Sequence, residues 1–208
     1  MKVLLINGSS NEKGCTYTAL SKIAESLNEE NIETEIIYLG SKPIADCMGC
    51  KTCYKEGHIG KCVFDDIVNE IIEKAKMSDG FVFGTPVYYA HPSGRILSVL
   101  DRVFYAGKKN FEFKPGACIA SARRGGTTAS FDVLNKYFTI SQMPVVSSTY
   151  WNNIHGNTPD ETVQDLEGMQ TMYNLGKNMA WLLRCIEAGK KANIEHPINK
   201  TAKTNFIR

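Results

Sequence analysis

Residues 3–16 read Val-Leu-Leu-Ile-Asn-Gly-Ser-Ser-Asn-Glu-Lys-Gly-Cys-Thr, an apolar run followed by a polar loop that contains two glycines. The four aliphatic residues predict a strand that is buried on both faces. After the loop, apolar residues recur at helical spacing, at Leu20, Ile23, Ala24 and Leu27. The chain therefore opens with a buried strand, a polar loop and an amphipathic helix.

The same alternation continues along the rest of the chain. Further strands are predicted in short apolar stretches at 35–39, 81–83 and 117–120 and around Val145-Val146. Helical periods lie between them. The alternation predicts an α/β fold, a doubly wound five-stranded parallel sheet with helices on both faces. In such sheets ligands bind beyond the carboxyl ends of the strands, where the strand order reverses.

Two helix starts carry capping signals. Either Asp65 or Asp66 can cap the helix that follows a cysteine-rich segment. At Thr158–Glu161 a threonine, a proline and a glutamate occupy the positions that a helix start favours. We expect the last helix to begin there and to run to about Ala188.

Length and composition narrow the possible classes of protein. The 208 residues fit one domain, placed at 1–192, followed by a polar tail at 193–208 that is either frayed or an arm reaching a neighbouring subunit. A net charge of +2 gives no reason to expect a nucleic-acid or membrane partner. Because the apolar runs are too short for a membrane span or a signal peptide, we expect a cytoplasmic protein.

The loop after the first strand is rich in hydroxyl and backbone N–H groups. Two known phosphate-binding motifs do not match this loop. A Walker loop that begins at Gly8 needs glycine at position 13 and lysine at position 14, where the chain has Lys13 and Gly14, and the dinucleotide fingerprint needs glycine at position 10, where it has Ser10. What remains suits a terminal phosphate bound without magnesium at a helix N-terminus. A plain polar connection, with Thr16 as the helix cap, is the alternative interpretation.

Two later loops lie at the same predicted edge of the sheet. Residues 84–94 contain Pro86, which fixes the backbone, and two tyrosines, Tyr88 and Tyr89, which can cover a flat ring or pack against the neighbouring helix. Residues 121–128 contain two arginines followed by two glycines. They can approach an anionic ligand, or form a charged turn with Thr127 or Thr128 capping the next helix.

These loops together resemble the flavodoxin-like NAD(P)H-dependent FMN reductases. That family carries a Gly-Ser-x-Arg loop, then a Cys-Thr or Asn-Thr pair, and Pro-Val-Tyr after the third strand. The matching residues are Gly8-Ser9, Cys15-Thr16 and 86–88, with Asn11 in place of the arginine and Lys13 as a possible substitute charge. The resemblance extends through residues 151–158 and covers roughly residues 1–191.

The resemblance implies FMN as cofactor and reduced nicotinamide, NAD(P)H, as electron donor. By a ping-pong mechanism, the reduced nicotinamide would transfer hydride to the flavin, and the flavin would then reduce a small-molecule acceptor such as a quinone, an azo or nitro compound, a flavin or a disulfide. The cofactor carries this chemistry, so no catalytic side chain is predicted. The residues that the resemblance places at FMN are Ser9, Asn11, Cys15 and Thr16 for the phosphate, Pro86, Val87, Tyr88 and Tyr89 for the flavin, and Ser121, Arg123, Arg124, Gly125 and Gly126 in the third loop.

The resemblance also implies a homodimer or higher homo-oligomer with the flavin near the interface. Aromatic residues in the segments 104–105 and 111–113, expected to be exposed, add weak support. Trp151 and His155 are candidate pocket residues, with packing in the core as the alternative.

Four of the seven cysteines form a compact group with the spacing Cys47-x2-Cys50-x2-Cys53-x8-Cys62. Such spacing can hold a [4Fe–4S] cluster or zinc. The related iron–sulfur flavoproteins place a similar motif in this loop, but with a shorter last gap. We therefore favour ordinary thiols packed in the loop. The iron–sulfur flavoprotein, a flavodoxin-type electron carrier and a regulatory module that merely shares the fold are the alternatives.

Overall fold

The computed structural model describes residues 1–202 and 204–207. The strands are β1 (Lys2–Asn7), β2 (Glu33–Tyr38), β3 (Gly80–Tyr88), β4 (His91–Pro92), β5 (Gly116–Ala122) and β6 (Asn153–His155). Five of them form a parallel sheet in the order β2-β1-β3-β5-β6, and β4 pairs antiparallel with the end of β3. This confirms the predicted doubly wound sheet.

Helices cover both faces of the sheet. They are α1 (Cys15–Glu29), α2 (Ile67–Lys76), α3 (Gly94–Gly107), α4 (Thr127–Thr139), α5 (Pro159–Thr162) and α6 (Leu166–Lys191). Strand β1 shows how the core is divided, since successive side chains point to opposite faces. Leu4 and Ile6 pack in the layer with α2, α3 and α4, whereas Val3 and Leu5 pack in the layer with α1 and α6.

The fifth strand differs from its predicted position. Val145 forms only an isolated bridge with Gly116, and the regular strand is β6, eight residues further on. Ser148 instead donates a hydrogen bond to the carbonyl of Thr171 on α6, and Asn178 on α6 donates to the carbonyl of Ser147. The segment between is therefore tied to a helix and leaves the sheet before rejoining it.

The helix boundaries follow the capping signals, with one break. Asp66 caps α2, its carboxylate accepting from the N–H of Val68 at 3.1 Å. Thr158 caps α5 as predicted, but that helix ends after one turn. Asp165 then caps α6 by accepting from the N–H of Gly168 at 2.9 Å. A second cap thus divides the single helix that the sequence predicts.

Two aromatic residues expected at the surface belong to the core. Phe104 is 8% exposed and Phe111 is fully buried, with their ring centroids 4.7 Å apart. They therefore give no support to an interface. Phe113 stacks on His196 of the tail at 4.3 Å. No helix within residues 1–202 and 204–207 is both long and apolar enough to cross a membrane.

Candidate flavin site and cysteine pocket

The loops after β1 and β3 meet at the point where the strand order reverses. The N–H of Gly8 donates to the carbonyl of Gly84 at 2.9 Å, and the Ser93 hydroxyl donates to the carbonyl of Gly8 at 2.8 Å. A side chain at Gly8 would lie 2.7 Å from Ile96 Cβ, so only glycine fits this junction. The two loops are therefore held together as one rigid edge.

Asn7 shapes the loop that follows β1. This buried side chain accepts from the N–H of Ser9 at 3.1 Å and donates to the carbonyl of Glu12 at 2.9 Å. The Ser9 hydroxyl in turn accepts from the N–H of Asn11 at 3.0 Å. The loop is thus folded around its own polar groups. Asn7 was not among the predicted site residues, although a polar residue closing a buried strand was a usable signal.

The N-terminus of α1 ends this loop. Gly14, not Thr16, occupies the N-cap position, and glycine offers no side-chain acceptor to the first helical N–H groups. Such free N–H groups and the helix dipole favour an anion. Thr16 is buried, and its hydroxyl lies 2.8 Å from that of Ser121, which joins the first loop to the third. Asn11 and Lys13 are exposed.

Residues 87–92 form a tight β-hairpin at the end of β3. Val87 pairs with Pro92 and Tyr88 with His91. The two turn residues, Tyr89 and Ala90, have φ angles of 51° and 58°. Turns of this kind prefer Asn-Gly, because other residues are strained at positive φ. Backbone strain of this sort is concentrated at functional sites.

The hairpin presents its two tyrosines to solvent. Tyr89 is fully exposed and Tyr88 is about half exposed, with its hydroxyl 3.4 Å from that of Ser10. Tyr38 also reaches this loop, donating to the carbonyl of Ser10 at 2.6 Å. The first and second loops thus share polar contacts beside an exposed aromatic surface. Pro86 and Val87 lie half-buried below it.

The third loop packs against the tip of the hairpin. Gly126 has a φ of +99°, and a Cβ there would lie 2.6 Å from the Cα of Ala90. Both facts require glycine. Gly126 is also the N-cap of α4, so neither of the threonines proposed as caps has that role. Arg123, Arg124 and Gly125 are exposed beside it.

The segment around β6 lies next to the start of α1. The Cys15 thiol donates to the carbonyl of Gly156 at 3.6 Å, and the N–H of His155 donates to Asp165 at 2.7 Å. Trp151 is 56% exposed and His155 is likewise exposed, so the alternative that they pack in the core is wrong. All the predicted loops therefore converge on one edge of the sheet.

The four clustered cysteines line a separate pocket beside α3. Its wall is completed by side chains of mostly apolar character. The lining residues are Cys47, Met48, Cys50, Lys51, Cys53, Cys62, Val63, Phe64, Arg102, Tyr105 and Ala106. The structure thus brings together all four residues of the predicted motif, although they span 16 positions of a long loop.

The environments of the thiols differ. A hydrogen bond from the Thr52 hydroxyl lowers the pKa of Cys50. Burial, and then the proximity of the other three thiols, raises the pKa of Cys53. Among the described residues no three His, Cys, Asp or Glu side chains lie close enough to share one metal ion. A [4Fe–4S] cluster does not require its thiolates to meet at one point, since each of them binds a different iron.

Arg102 is a residue of this pocket that the sequence reasoning missed. It lies on α3, is 1% exposed, and donates through Nε to Cys62 Sγ at 3.2 Å. Burial lowers the pKa of Arg102, but its hydrogen bonds and charge interactions with Asp66 and Cys62 together outweigh burial, so that the pKa is raised. The only signal in the sequence was a cation at position 102, close to the apolar residues Val99, Leu100 and Val103 of the same helix.

Helix α3 connects the pocket to the other site. Its cap, Ser93, accepts from the N–H of Ile96 and belongs to the loop after β3. Nine residues later, about 13 Å along the helix at about 1.5 Å per residue, Arg102 borders the cysteine pocket. One rigid element therefore fixes the two sites relative to each other.

The strand order is that of flavodoxin, in which FMN binds at the junction of β1 and β3. With three converging loops at that junction, the molecule is a flavodoxin-like flavoprotein. A flavodoxin from the domain Archaea superposes with a TM-score of 0.60 and 14% identity, covering 88% of this chain and 99% of that one. RosB with a bound riboflavin-phosphate intermediate gives a TM-score of 0.72 at 15% identity, covering 100% and 92%.

The chain belongs to the NADPH-dependent FMN reductase family, whose model matches residues 1–158. A relative named iron-sulfur flavoprotein, from Methanocaldococcus jannaschii, is 33% identical over 196 residues, which covers 90% of this chain and all of the relative. The iron-sulfur flavoprotein of Methanosarcina thermophila is 26% identical over 91% of this chain and 99% of its own length. The predicted family is confirmed.

Proposed function

We propose that the protein is an FMN-dependent oxidoreductase of the iron–sulfur flavoprotein type, with Cys47, Cys50, Cys53 and Cys62 holding a [4Fe–4S] cluster. The observation that carries the proposal is the convergence of these four thiols on one pocket beside α3. Relatives of matching length that bear this name support it. The proposal reverses the preference for free thiols, which rested on the long gap before Cys62.

The pocket fits a cluster better than a single ion. Its available ligand atoms are sulfur, the kind that iron–sulfur clusters use. A zinc site would draw four sulfurs to about 2.3 Å from one ion, and the described side chains form no such group. The apolar wall and the Nε–H of Arg102 supply the low polarity and the hydrogen bond to sulfur that set a cluster's potential.

The flavin loops fit FMN through their own groups. The N–H groups at the start of α1, beside Ser9, would hold the phosphate. The hairpin tyrosines would flank the ring, and Arg123 or Arg124 would place positive charge near it. FMN supplies one-electron and two-electron chemistry when bound, and a cluster supplies one-electron transfer.

The experiment is an absorption spectrum of anaerobically purified protein, with iron and sulfide assayed on the same sample. We expect flavin bands, a broad shoulder, and about four irons and four sulfides per chain. Flavin without iron would contradict the cluster. A colourless protein that takes up no added FMN would contradict the flavin site as well.

A second candidate is an NAD(P)H-dependent FMN reductase that passes hydride to a small acceptor. The description of the matching family supports it, as does the exposure of Tyr88, Tyr89 and Trp151, which leaves one side of the site open to a nicotinamide. Stopped-flow mixing tests it. NAD(P)H should bleach the bound flavin within one turnover, and flavin that stays oxidised would refute the nicotinamide as donor.

For either candidate function, we propose that the protein forms a homodimer or a higher homo-oligomer. The exposed aromatic surface beside the flavin loops, Tyr88, Tyr89, Tyr150 and Trp151, supports it. Light scattering of the FMN-loaded protein should give at least twice the chain mass of 23.1 kDa. A monomeric mass would refute it.

A further inference from the structure

Arg102 is a charged side chain inside the apolar layer of the fold. It is 1% exposed and is the largest fully buried side chain among the residues that the structure describes. Its neighbours on α3, Val99 and Val103, are fully buried core residues. Burying a guanidinium is costly unless its donors are used and its charge is matched. The position therefore needs a reason that packing alone does not give.

The guanidinium is bound from several sides. It makes a two-pronged ion pair with Asp66, at 2.7 and 2.8 Å, and donates to the carbonyl of Ala45 at 3.1 Å. The ring of Phe64 lies 4.8 Å from it. These contacts lie on both flanks of the cysteine motif, so one side chain holds the two ends of that loop together.

The remaining contact points at the motif itself. Nε donates to Cys62 Sγ at 3.2 Å, separately from the groups that bind Asp66 and Ala45. A neutral thiol is a weak acceptor, whereas a charged acceptor makes hydrogen bonds about twice as strong. A buried N–H directed at sulfur is therefore most favourable when the sulfur carries negative charge, as it does as a ligand.

We propose that Arg102 is a positioning residue for the cysteine-held cluster, whose Nε–H bond to Cys62 stabilises the more negative state of the site and raises its reduction potential. The inference rests on the proposed function. It assigns to Arg102 a role beyond closing the loop. Hydrogen bonds to ligand sulfurs are one of the means by which proteins set such potentials.

The test compares four forms of the full-length, FMN-loaded chain, purified without oxygen. Arg102→Gln removes the charge and the Nε donor. Arg95→Gln is the matched control, because Arg95 also lies on α3 and also donates to this loop, at the carbonyls of Ser41 and Lys42, but not to a sulfur. Asp66→Asn keeps Arg102 and a side chain able to cap α2, but removes the matching charge. The fourth form is the wild type.

The measurements are the midpoint potential of the cluster and the chelator concentration that removes half the iron. We expect Arg102→Gln to move the potential to more negative values and to release iron at about 10–100-fold lower chelator concentration. Asp66→Asn should shift the potential the other way, because the guanidinium charge is then less neutralised. Arg95→Gln should leave the potential unchanged.

A merely structural role predicts a different result. Loosening of the loop would release iron from Arg102→Gln and Asp66→Asn alike, with the potential unchanged or shifted in the same direction in both, and that outcome overturns the inference. If Arg102→Gln does not fold, the neutral double variant Arg102→Gln/Asp66→Asn is measured instead, and an unchanged potential in it overturns the inference. A wild type without iron refutes the proposed cluster and this role with it.

Discussion

The two candidate sites are built in different ways. The flavin loops are short, begin at strand ends, and contact one another through Gly8, Thr16 and Gly126. The cysteine motif lies in a loop that runs from 39 to 66 with only one short 3₁₀ turn, at Thr52–Tyr54. Loops of that length are uncommon, and an ordered loop of that length often carries a functional site.

The difference also shows in what holds each site. The flavin loops are fixed by short backbone and hydroxyl contacts between neighbouring strand ends, and a parallel sheet of this order brings those ends together. The cysteine loop is mostly exposed and is anchored to the core at its ends, through Arg102 and the side chain of Asn69. The position of the flavin site follows from the strand order of the sheet, whereas the cysteine pocket depends on an inserted loop and the side chains that hold its ends.

The largest expected effect separates the two sites. Cys50→Ser should reduce iron from about four per chain to less than about one, because a ligand is lost, while bound FMN stays the same. Cys185→Ser is the control, since Cys185 is an exposed cysteine on α6 outside the pocket. Iron and flavin are assayed on the same purified samples. Loss of both groups together would show that the sites are not independent.

The next largest effect is expected in the flavin site, at Gly126, where the third loop packs on the hairpin. Gly126→Ala forces a side chain against Ala90 at positive φ. It should destabilise the fold by about 1–3 kcal/mol and weaken FMN binding at least about tenfold. Denaturation and flavin-fluorescence titration measure these quantities.

Gly125→Ala is the matched control for that change. A methyl group at Gly125 would meet no heavy atom within 4 Å, and the φ of this residue is not in the left-handed region. The substitution should leave the free energy of unfolding within about 0.5 kcal/mol of the wild type, the usual range for surface substitutions away from special features. Equal losses in both variants would refute the packing of the third loop on the hairpin.

The residues of the flavin site could be predicted from the sequence more fully than those of the cysteine pocket, for a physical reason. The strand ends after Ile6, Phe83 and Ala120 were recognisable from local apolar patterns, and a parallel sheet brings such ends to one edge. Val145 shows the limit of this approach. Its apolar pattern predicts a regular strand, but the residue forms only an isolated bridge with Gly116, and the next residues are hydrogen-bonded to α6 instead.

Arg102 shows a different limit. The carboxylate that matches it, Asp66, is 36 positions away, and its sulfur acceptor, Cys62, is 40 away. No periodicity links residues that are paired only by tertiary packing. The spacing of the cysteines was therefore readable, whereas the buried side chain that contacts Cys62 was not. Despite the long gap before Cys62, which was read as evidence for free thiols, Cys62 lines the same pocket as the other three cysteines and is bonded there to Arg102.

A smaller effect concerns the strained hairpin. Tyr89→Asn should stabilise the fold by about 0.5–1 kcal/mol, because asparagine adopts the left-handed conformation more readily than tyrosine. The same change should weaken FMN binding if the ring covers the flavin. Tyr150→Asn, at an exposed tyrosine with ordinary φ, should give no gain in stability. Urea denaturation of the apoproteins decides this, and equal stabilities for Tyr89→Asn and the wild type would count against strain at the turn.

The smallest effect tests charge at the phosphate end of the flavin site. Asn11 is exposed beside the uncapped start of α1, so Asn11→Arg adds a cation where the family usually has one. An exposed ion pair contributes about 0.2–1 kcal/mol, so FMN should bind about 1.5–5-fold more tightly at low salt, with the gain lost as salt screens the pair. Riboflavin, which lacks the phosphate, is the control ligand and should show no change. An equal gain for both ligands would mean that residue 11 acts on the ring and that the phosphate lies elsewhere.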